Sequence, residues 1–514
     1  MLGFAAMSTR GAPDELPIPV MEHTEIDGVP VYWSSVPGPH LGALMFGVGR
    51  AHERAAIGGI SHLVEHLALA SLTQQEYSHN GFVAGMRTVF HAAGTDDELI
   101  AFFRSVGDSL LELPLDRLGM ERRILRQEER NRQTSIAANL MWFRYGSQGH
   151  GLLATDELGL GWLGPLTVET WARTGFARGN AAMWLSAPQP AGLRLDLPEG
   201  GSSAPAPADP IATVAFPAHI PWTVNRISLS WVGSRSVEAV ATLEAVARRA
   251  REVLRFERGL VYDIQTDYER LDAETAHCVI STDCAPEHAT TVRDEVLRAF
   301  DAIAADGLTE DEVRRTIRSF TDNLSVPQSS LGFLDAAAFD RLVGADVQQP
   351  DELIAEYHAL DARLAGTMLA EASSTMLLCA PGRLPDGPRW TTYQPWSVDI
   401  VEGRVFRPPG RRFAGVRMPS RAPEPSLTVG PEGVTWRSAE GNPLTVRYRE
   451  CVAARHWDGD VRELWGADGF RVRILPTEWQ DGLEAIRAID ATVPAEVVVC
   501  DEHGVGAYQD PADG

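Results

Sequence analysis

The chain has 514 residues, 44% of them apolar and 23% charged, with 46 Lys and Arg against 70 Asp and Glu for a net charge of −24. That length exceeds what one hydrophobic core supports, so two or three domains are expected. The acidic balance opposes binding to nucleic acid or anionic membranes through counterion release, and it favours a neutral or cationic partner.

No apolar run approaches the ~20 residues that a membrane-spanning helix requires. The amino terminus shows no basic segment ahead of an apolar one, so it does not read as a secretion signal. Five scattered cysteines without a CxxC pair argue against a disulfide framework and against a thiolate zinc site. A cytoplasmic protein with reduced cysteines is the expectation.

The first segment, residues 1–196, contains strand-like runs such as ALMFGV at 43–48 and then reaches GGISHLVEHLAL at 58–69. His62 and His66 are four residues apart, so a helix sets them one turn apart on one face with Glu65 beside them. Helix is predicted because Gly58-Gly59 precede it, Ser61 can cap an early turn, and Leu63, Val64, Leu67 and Leu69 supply an apolar side. Two imidazoles presented this way can share one Zn²⁺ at about 2.0–2.1 Å, which needs a third protein ligand and leaves one position for water. Downstream, GMERRILRQEERNRQ at 119–133 has helical spacing and no breaker. Glu121 and Glu128 lie two turns apart on one face, so Glu128 can be the third ligand and Glu121 the acceptor for a ligand histidine. Glu129 points about 100° away. Isolated histidines and acidic helices are more often packed or solvated than ligating, and it is the conjunction of the two stretches that favours a metal.

The composition breaks at LPEGGSSAPAPADP, residues 197–210, which reads as a linker. The segment 211–403 again mixes strand-like runs (ISLSWV, 227–232) with helical periodicity (237–253), so both large segments read as α+β. LDRLGMERRI at 115–124 and LTEDEVRRTI at 308–317 share leucine, arginine and isoleucine at matching offsets. That echo fits duplicated halves, and equally two unrelated amphipathic helices. A basic, proline-rich stretch at 404–425 reads as a second linker, before short strand-like runs and one helix at 426–498 and an acidic tail at 499–514. That helix is expected to start at a capping box of Thr477 and Gln480 and to bury Trp479, Leu483, Ile486 and Ile489. Strands followed by one amphipathic helix resemble a pleckstrin-homology-like domain, a small barrel plugged by a helix, which would imply a protein or lipid partner.

The order HxxEH resembles the pitrilysin/insulinase family of inverted-motif zinc peptidases. The likeness extends to the approach Gly47-Val48-Gly49-Arg50-Ala51-His52-Glu53 and to the Glu121/Glu128 pair. It also includes Leu254-Arg255-Phe256-Glu257-Arg258-Gly259-Leu260-Val261-Tyr262 in the second segment, so that residues 25–395 are covered. The resemblance implies a zinc metalloendopeptidase whose two α+β domains form half of a chamber. Its metal ligands would be His62, His66 and Glu128, its general base Glu65 acting on a zinc-activated water, and Glu121 would support a ligand histidine. Tyr262 would steady the oxyanion and Arg255 would hold the peptide. Short members pair as homodimers or heterodimers, which would bring Arg255 and Tyr262 of one chain to the zinc site of another. Two departures stand out: the family usually carries a longer spacer than the one here between His66 and Glu128, and its Asn-Ala-x-Thr-type strand is replaced by residues 81–88. A non-catalytic peptide-binding or scaffold subunit is the competing reading.

Overall fold

A computed structural model describes residues 20–500, apart from 73–76, 202–206, 212–213, 223, 325, 383, 385–388, 411, 414–415, 418–422 and 458–459. The first half contains β1 (Glu22–Ile26), β2 (Val29–Trp33), β3 (His40–Phe46), α1 (Ile60–Leu69), β4 (Ser78–Val83) and β5 (Thr88–Gly94). It continues with α2 (Asp96–Leu111), α3 (Leu118–Asn131), α4 (Ile136–Tyr145), α5 (Pro165–Gly175) and β6 (Ala181–Leu185). Its sheet runs β1-β2-β6-β3-β5-β4. β2 and β6 are parallel, and the other pairs are antiparallel.

The second half has β7 (Ala218–Pro221), β8 (Arg226–Ser234), α6 (Val237–Arg251), β9 (Gln265–Arg270), β10 (Thr275–Asp283), α7 (Ala289–Asp306) and α8 (Glu310–Leu324). α9 (Ser330–Val343), α10 (Pro350–His358), α11 (Ala362–Ala372), β11 (Leu377–Ala380) and β12 (Thr391–Thr392) complete it. In its sheet, β12-β7-β11-β8-β10-β9, the five strands from β7 to β9 repeat the order β2-β6-β3-β5-β4, with β7 and β11 parallel where β2 and β6 are, and only the outer strand differs, β12 being parallel to β7 where β1 is antiparallel to β2. α3 follows α2 as α8 follows α7, so the two echoing sequences occupy equivalent places in a duplicated α+β topology.

Each half lends a helix to the other's sheet. α9 lays Leu334, Ala337 and Ala338 on Tyr32, Met45 and Val89 of the first sheet. α4 sets Ala137 and Leu140 against Ile220, Val279 and Leu377 of the second. Among the described residues, Arg144 of α4 has no acidic partner. It donates instead to Thr375 O at 2.7 Å, Ser230 O at 3.1 Å and Ser230 Oγ at 2.9 Å, and burial pulls its pKa down to about 10.

The expected linkers prove to be built into the fold. Leu197 is buried in the first core and Gly201 bridges to Gly179, so the first half extends beyond residue 196. Beyond the undescribed 202–206, Ile211 N–H donates to Arg144 O at 2.9 Å.

The third domain begins before residue 404. Ser397 Oγ accepts the Thr445 N–H at 2.8 Å, and β13 (Arg404–Phe406) pairs with β16 (Ser426–Val429) across the two-residue strands β14 (Arg412–Phe413) and β15 (Val416–Arg417). The remaining elements are β17 (Gly433–Arg437), β18 (Pro443–Arg447), β19 (Cys451–Trp457), β20 (Val461–Gly466), β21 (Arg471–Ile474), α12 (Gly482–Asp490) and β22 (Val498–Cys500). They form two four-stranded sheets, β13-β16-β17-β18 and β21-β20-β19-β22, rather than a closed barrel. β22 lies parallel to β19, which carries the domain past residue 498; of the tail, residues 501–514 lie outside the described residues. The expected capping box is absent: Thr477 lies in a short 3₁₀ turn, Gln480 N–H donates to Arg407 O at 2.8 Å, and α12 starts after Asp481. Ala485, Ile486 and Ile489 face the core, and Leu483 is half exposed.

Leu334→Ala would leave a void where α9 meets the first sheet. It is expected to cost about 2–5 kcal/mol, read as a lowered urea midpoint, and an unchanged midpoint would show that this interlock contributes nothing.

Candidate metal centre

α1 is started by a residue outside it. Glu53 accepts the Gly59 N–H at 2.8 Å and the Ser61 N–H at 2.9 Å, which satisfies two of the donors a helix start leaves unpaired. Gly59 holds φ at 90°, a conformation costly for any side-chain-bearing residue. Ser61, expected as the cap, lies inside the helix, where its Oγ accepts the Trp171 Nε1–H at 3.0 Å. Leu63, Val64 and Leu67 are fully buried, which turns His62 and His66 toward the partly open side.

α1 and α3 bring His62, His66 and Glu128 together, with one ligand atom from each lying within 4.8 Å of the others. Glu128 Oε2 is 3.9 Å from His62 Nε2 and 3.8 Å from His66 Nε2. Glu65 Oε2 is 3.9 Å from both Nε2 atoms. Tetrahedral ligands of Zn²⁺ lie roughly 3.3–3.5 Å apart, so the residue types suit the ion and the Glu128 separations would have to shorten by about half an ångström to hold it.

The rings are oriented from behind. His66 Nδ1 lies 3.3 Å from Glu121 Oε2, and Arg117 steadies that carboxylate at 2.9 Å. His62 Nδ1 lies 3.2 Å from Oε2 of Glu157. A carboxylate can only accept, so each Nδ1 donates backward and each Nε2 is the ring atom that faces the shared space, where a metal would take it as a ligand. Sequence periodicity does not reveal Glu157. It lies in a loop without periodicity, and the only available signal was the requirement that a second ligand histidine also needs an acceptor.

Glu157 is buried and multiply paired. Arg50 and Arg132 both donate to its Oε1, the latter at 2.6 Å, and its backbone N–H donates to Glu129. Burial opposes its charge, but Arg50, His62 and Arg132 outweigh that and hold it far below the usual carboxylate range. Burial likewise opposes charge on His62, yet Glu157, Glu65 and Glu128 raise its pKa overall. Burial and the neighbouring His62 lower that of His66. Glu65, buried and close to Glu128 and Glu121, is pushed up to about 7 despite His62. Glu129 serves the Glu157 backbone and is not among the clustered ligand atoms.

β4 is an edge strand of the first sheet and runs against α1. A Cβ at Gly81 would lie 2.2 Å from Glu65 Oε1, so a side chain there would displace the carboxylate from its present place. The strand reads Asn80-Gly81-Phe82-Val83. The turn that follows is tied to the approach segment, with Arg50 N–H donating to Ala84 O at 2.9 Å and Ala51 N–H to Gly85 O at 2.8 Å.

Arg255 and Tyr262 do not join this cluster within the chain. Arg255 lies over the Tyr262 ring at 5.4 Å and 3.7 Å from Asp263, and Tyr262 is 88% exposed. Among the described residues neither makes a hydrogen bond or ion pair with His62, Glu65, His66 or Glu128. The second half has no equivalent centre among the described residues. α6 contains no histidine, and aligning Leu115 with Leu308 sets Arg314 and Thr321 where Glu121 and Glu128 stand. There α6 and α8 are joined by Arg249 and Glu312, a two-bond ion pair with both distances 2.7 Å.

Residues 244–320 match the family model described as the peptidase M16 inactive domain. Among solved structures, the peptidase M16 inactive domain from Pseudomonas fluorescens superposes with a TM-score of 0.58 at 13% identity, covering 71% of this chain and 100% of that one. A protease from Helicobacter pylori gives 0.56 at 13%, covering 71% and 100%. The ferredoxin protease FusC, as a mutant in complex with Arabidopsis ferredoxin, gives 0.53 at 12%, covering 84% of this chain and 56% of that one. At these identities the likeness is one of fold. No curated protein matches the chain in sequence.

Glu157→Gln keeps the shape of this residue and removes its charge. It is expected to weaken Zn²⁺ binding about 10–100-fold, measured by chelator competition, and wild-type affinity would mean that something else orients His62.

Proposed function

We propose that the protein is a zinc-dependent endopeptidase acting on peptides or short unfolded segments. The observation that carries this reading is the convergence of His62, His66 and Glu128 beside Glu65, with both imidazoles held from behind by carboxylates. When bound there, Zn²⁺ supplies Lewis acidity that lowers the pKa of a water and polarises a carbonyl. Glu65, pushed by burial to about 7, is suited to take a proton from water and return it to the leaving amine.

The free edge of β4 offers backbone groups to an extended peptide, which can add as a further strand directly alongside Glu65. The fold shared with M16-like peptidases supports the same reading, as does the inverted histidine motif. The inactive-domain match falls on the second half, which has no such ligand cluster among the described residues, and so does not weigh against catalysis in the first.

Arg255 and Tyr262 complete the site, in this reading, from a second chain. The 88% exposure of Tyr262 and the 71% exposure of Phe256 support that, because a solvated tyrosine beside a bare phenylalanine suits a surface that another protein covers. Homodimer and heterodimer are both compatible with this geometry.

Glu65→Gln is expected to keep about one zinc per chain and to lose at least ~10²-fold in peptide hydrolysis, assayed with a mixed peptide library. Normal cleavage by that variant would refute the assigned role. For the second-chain contribution, mixing Glu65→Gln with Tyr262→Phe chains is expected to restore part of the hydrolysis that each lacks. A fully active monomer in the ultracentrifuge would end that part of the reading.

A further inference from the structure

The third domain does not hang from the first half as an independent bead. Trp465 of β20 and Ala453 of β19 are fully buried, and together with Val499 of β22 they share one apolar cluster with Ala55, Ala56 and Leu158 of the first half. These three residues stand apart from the domain's own core, which is built around residues such as Leu464, Ile486 and Ile489. Trp465 is held by its own domain: its Nε1–H donates to Glu463 at 2.8 Å, and Arg471 lies over the ring at 3.6 Å. The contact is extended by Ser147 N–H donating to Ala467 O at 3.0 Å and by Arg455 lying 3.9 Å from Asp156.

The segments touched in this way lead directly to the metal centre. Residues 55–59 run into the start of α1. Asp156 and Leu158, both contacted by the third domain, flank Glu157, whose carboxylate orients His62. The two segments are joined to each other, since Gly159 N–H donates to Gly58 O at 2.9 Å and a Cβ on Gly59 would lie 2.7 Å from Glu157 Cβ. The strip carrying Glu157 therefore has the start of α1 on one side and the third domain's sheet on the other.

We propose that Trp465 is a positioning residue for the metal centre: the third domain presses residues 156–158 against the start of α1 and, through Glu157, sets the ring of His62. The third domain is on this account part of the zinc site's support and not an accessory to it. The inference rests on the metal reading above and adds a role which that reading does not require.

The test uses the full chain, stripped of metal and titrated with Zn²⁺ against a chelator and with Co²⁺ by visible absorption. Trp465→Ala is expected to bind Zn²⁺ about tenfold more weakly and to alter the Co²⁺ spectrum, with Trp465→Phe recovering most of both. Ile489→Ala damages the same domain's core away from the contact, and it is expected to lower the thermal midpoint while leaving affinity and spectrum as in wild type. Should Trp465→Ala not fold, Val499→Ala at the same contact decides, with a smaller loss in the same direction. Wild-type affinity in the contact variants, or an equal loss in Ile489→Ala, overturns the proposal while leaving the metal reading intact. A wild-type chain that binds neither ion overturns both.

Discussion

An ionised carboxylate in a protein interior costs several kcal/mol unless its charge is answered there, and Glu157 is such a group. Its side chain is 1% exposed, and Arg50, Arg132 and His62 all converge on it. Arg50 is drawn further in by Leu152 O at 2.7 Å and Thr155 O at 3.1 Å. The participants come from the approach segment, α1, the end of α3 and the loop after α4. None of these pieces can satisfy its own charge alone, so they settle only together. The position of His62 is a by-product of that settlement, and with it the geometry available to a metal. Glu53, which starts α1, belongs to the same approach segment and lies 3.7 Å from Arg50.

The centre has a counterpart without metal ligands in the second half. The strand order and helix sequence repeat, yet α6 and α8 are held by Arg249 and Glu312 where α1 and α3 present imidazoles and carboxylates. Glu312 also accepts the Thr309 N–H at 2.9 Å, which closes the start of α8. Burial raises its pKa, but the hydrogen bonds from Arg249 and Thr309 outweigh that and leave it at about 2, so the pair keeps its charge across any ordinary pH. One topology thus solves the same helix-to-helix problem twice: by an internal ion pair in the second half, and in the first by groups that remain open to a ligand.

Periodicity and spacing made much of this legible. The four-residue interval of His62 and His66 and the seven-residue interval of Glu121 and Glu128 translate directly into faces of helices, because local geometry alone decides them. Glu157 and Glu53 were invisible for the opposite reason: each acts at long range from irregular chain, where no period marks it. Composition misleads at the domain borders. Residues 197–201 and 404–406 look like linker by their Gly, Pro and Arg content, yet Leu197 and Phe406 are buried and Arg404–Phe406 is a paired strand. The start of α12 failed similarly. Thr477 and Gln480 have capping-box spacing, but Pro476 begins a 3₁₀ turn, and the helix waits for Asp481, whose φ of 60° turns the chain into it.

The exchange of α4 and α9 between the halves bears on how such a chain is made. As the nascent chain emerges, the face of the first sheet that α9 covers stays open until Val343 has been synthesised, and α4 has no sheet to lie on until β11 ends at Ala380. Neither half, though alike in topology, covers both faces of its sheet from its own stretch of sequence. A ribosome that stalled between them would hold a polypeptide with its histidines and glutamates in place in the sequence and a greasy sheet face open to solvent.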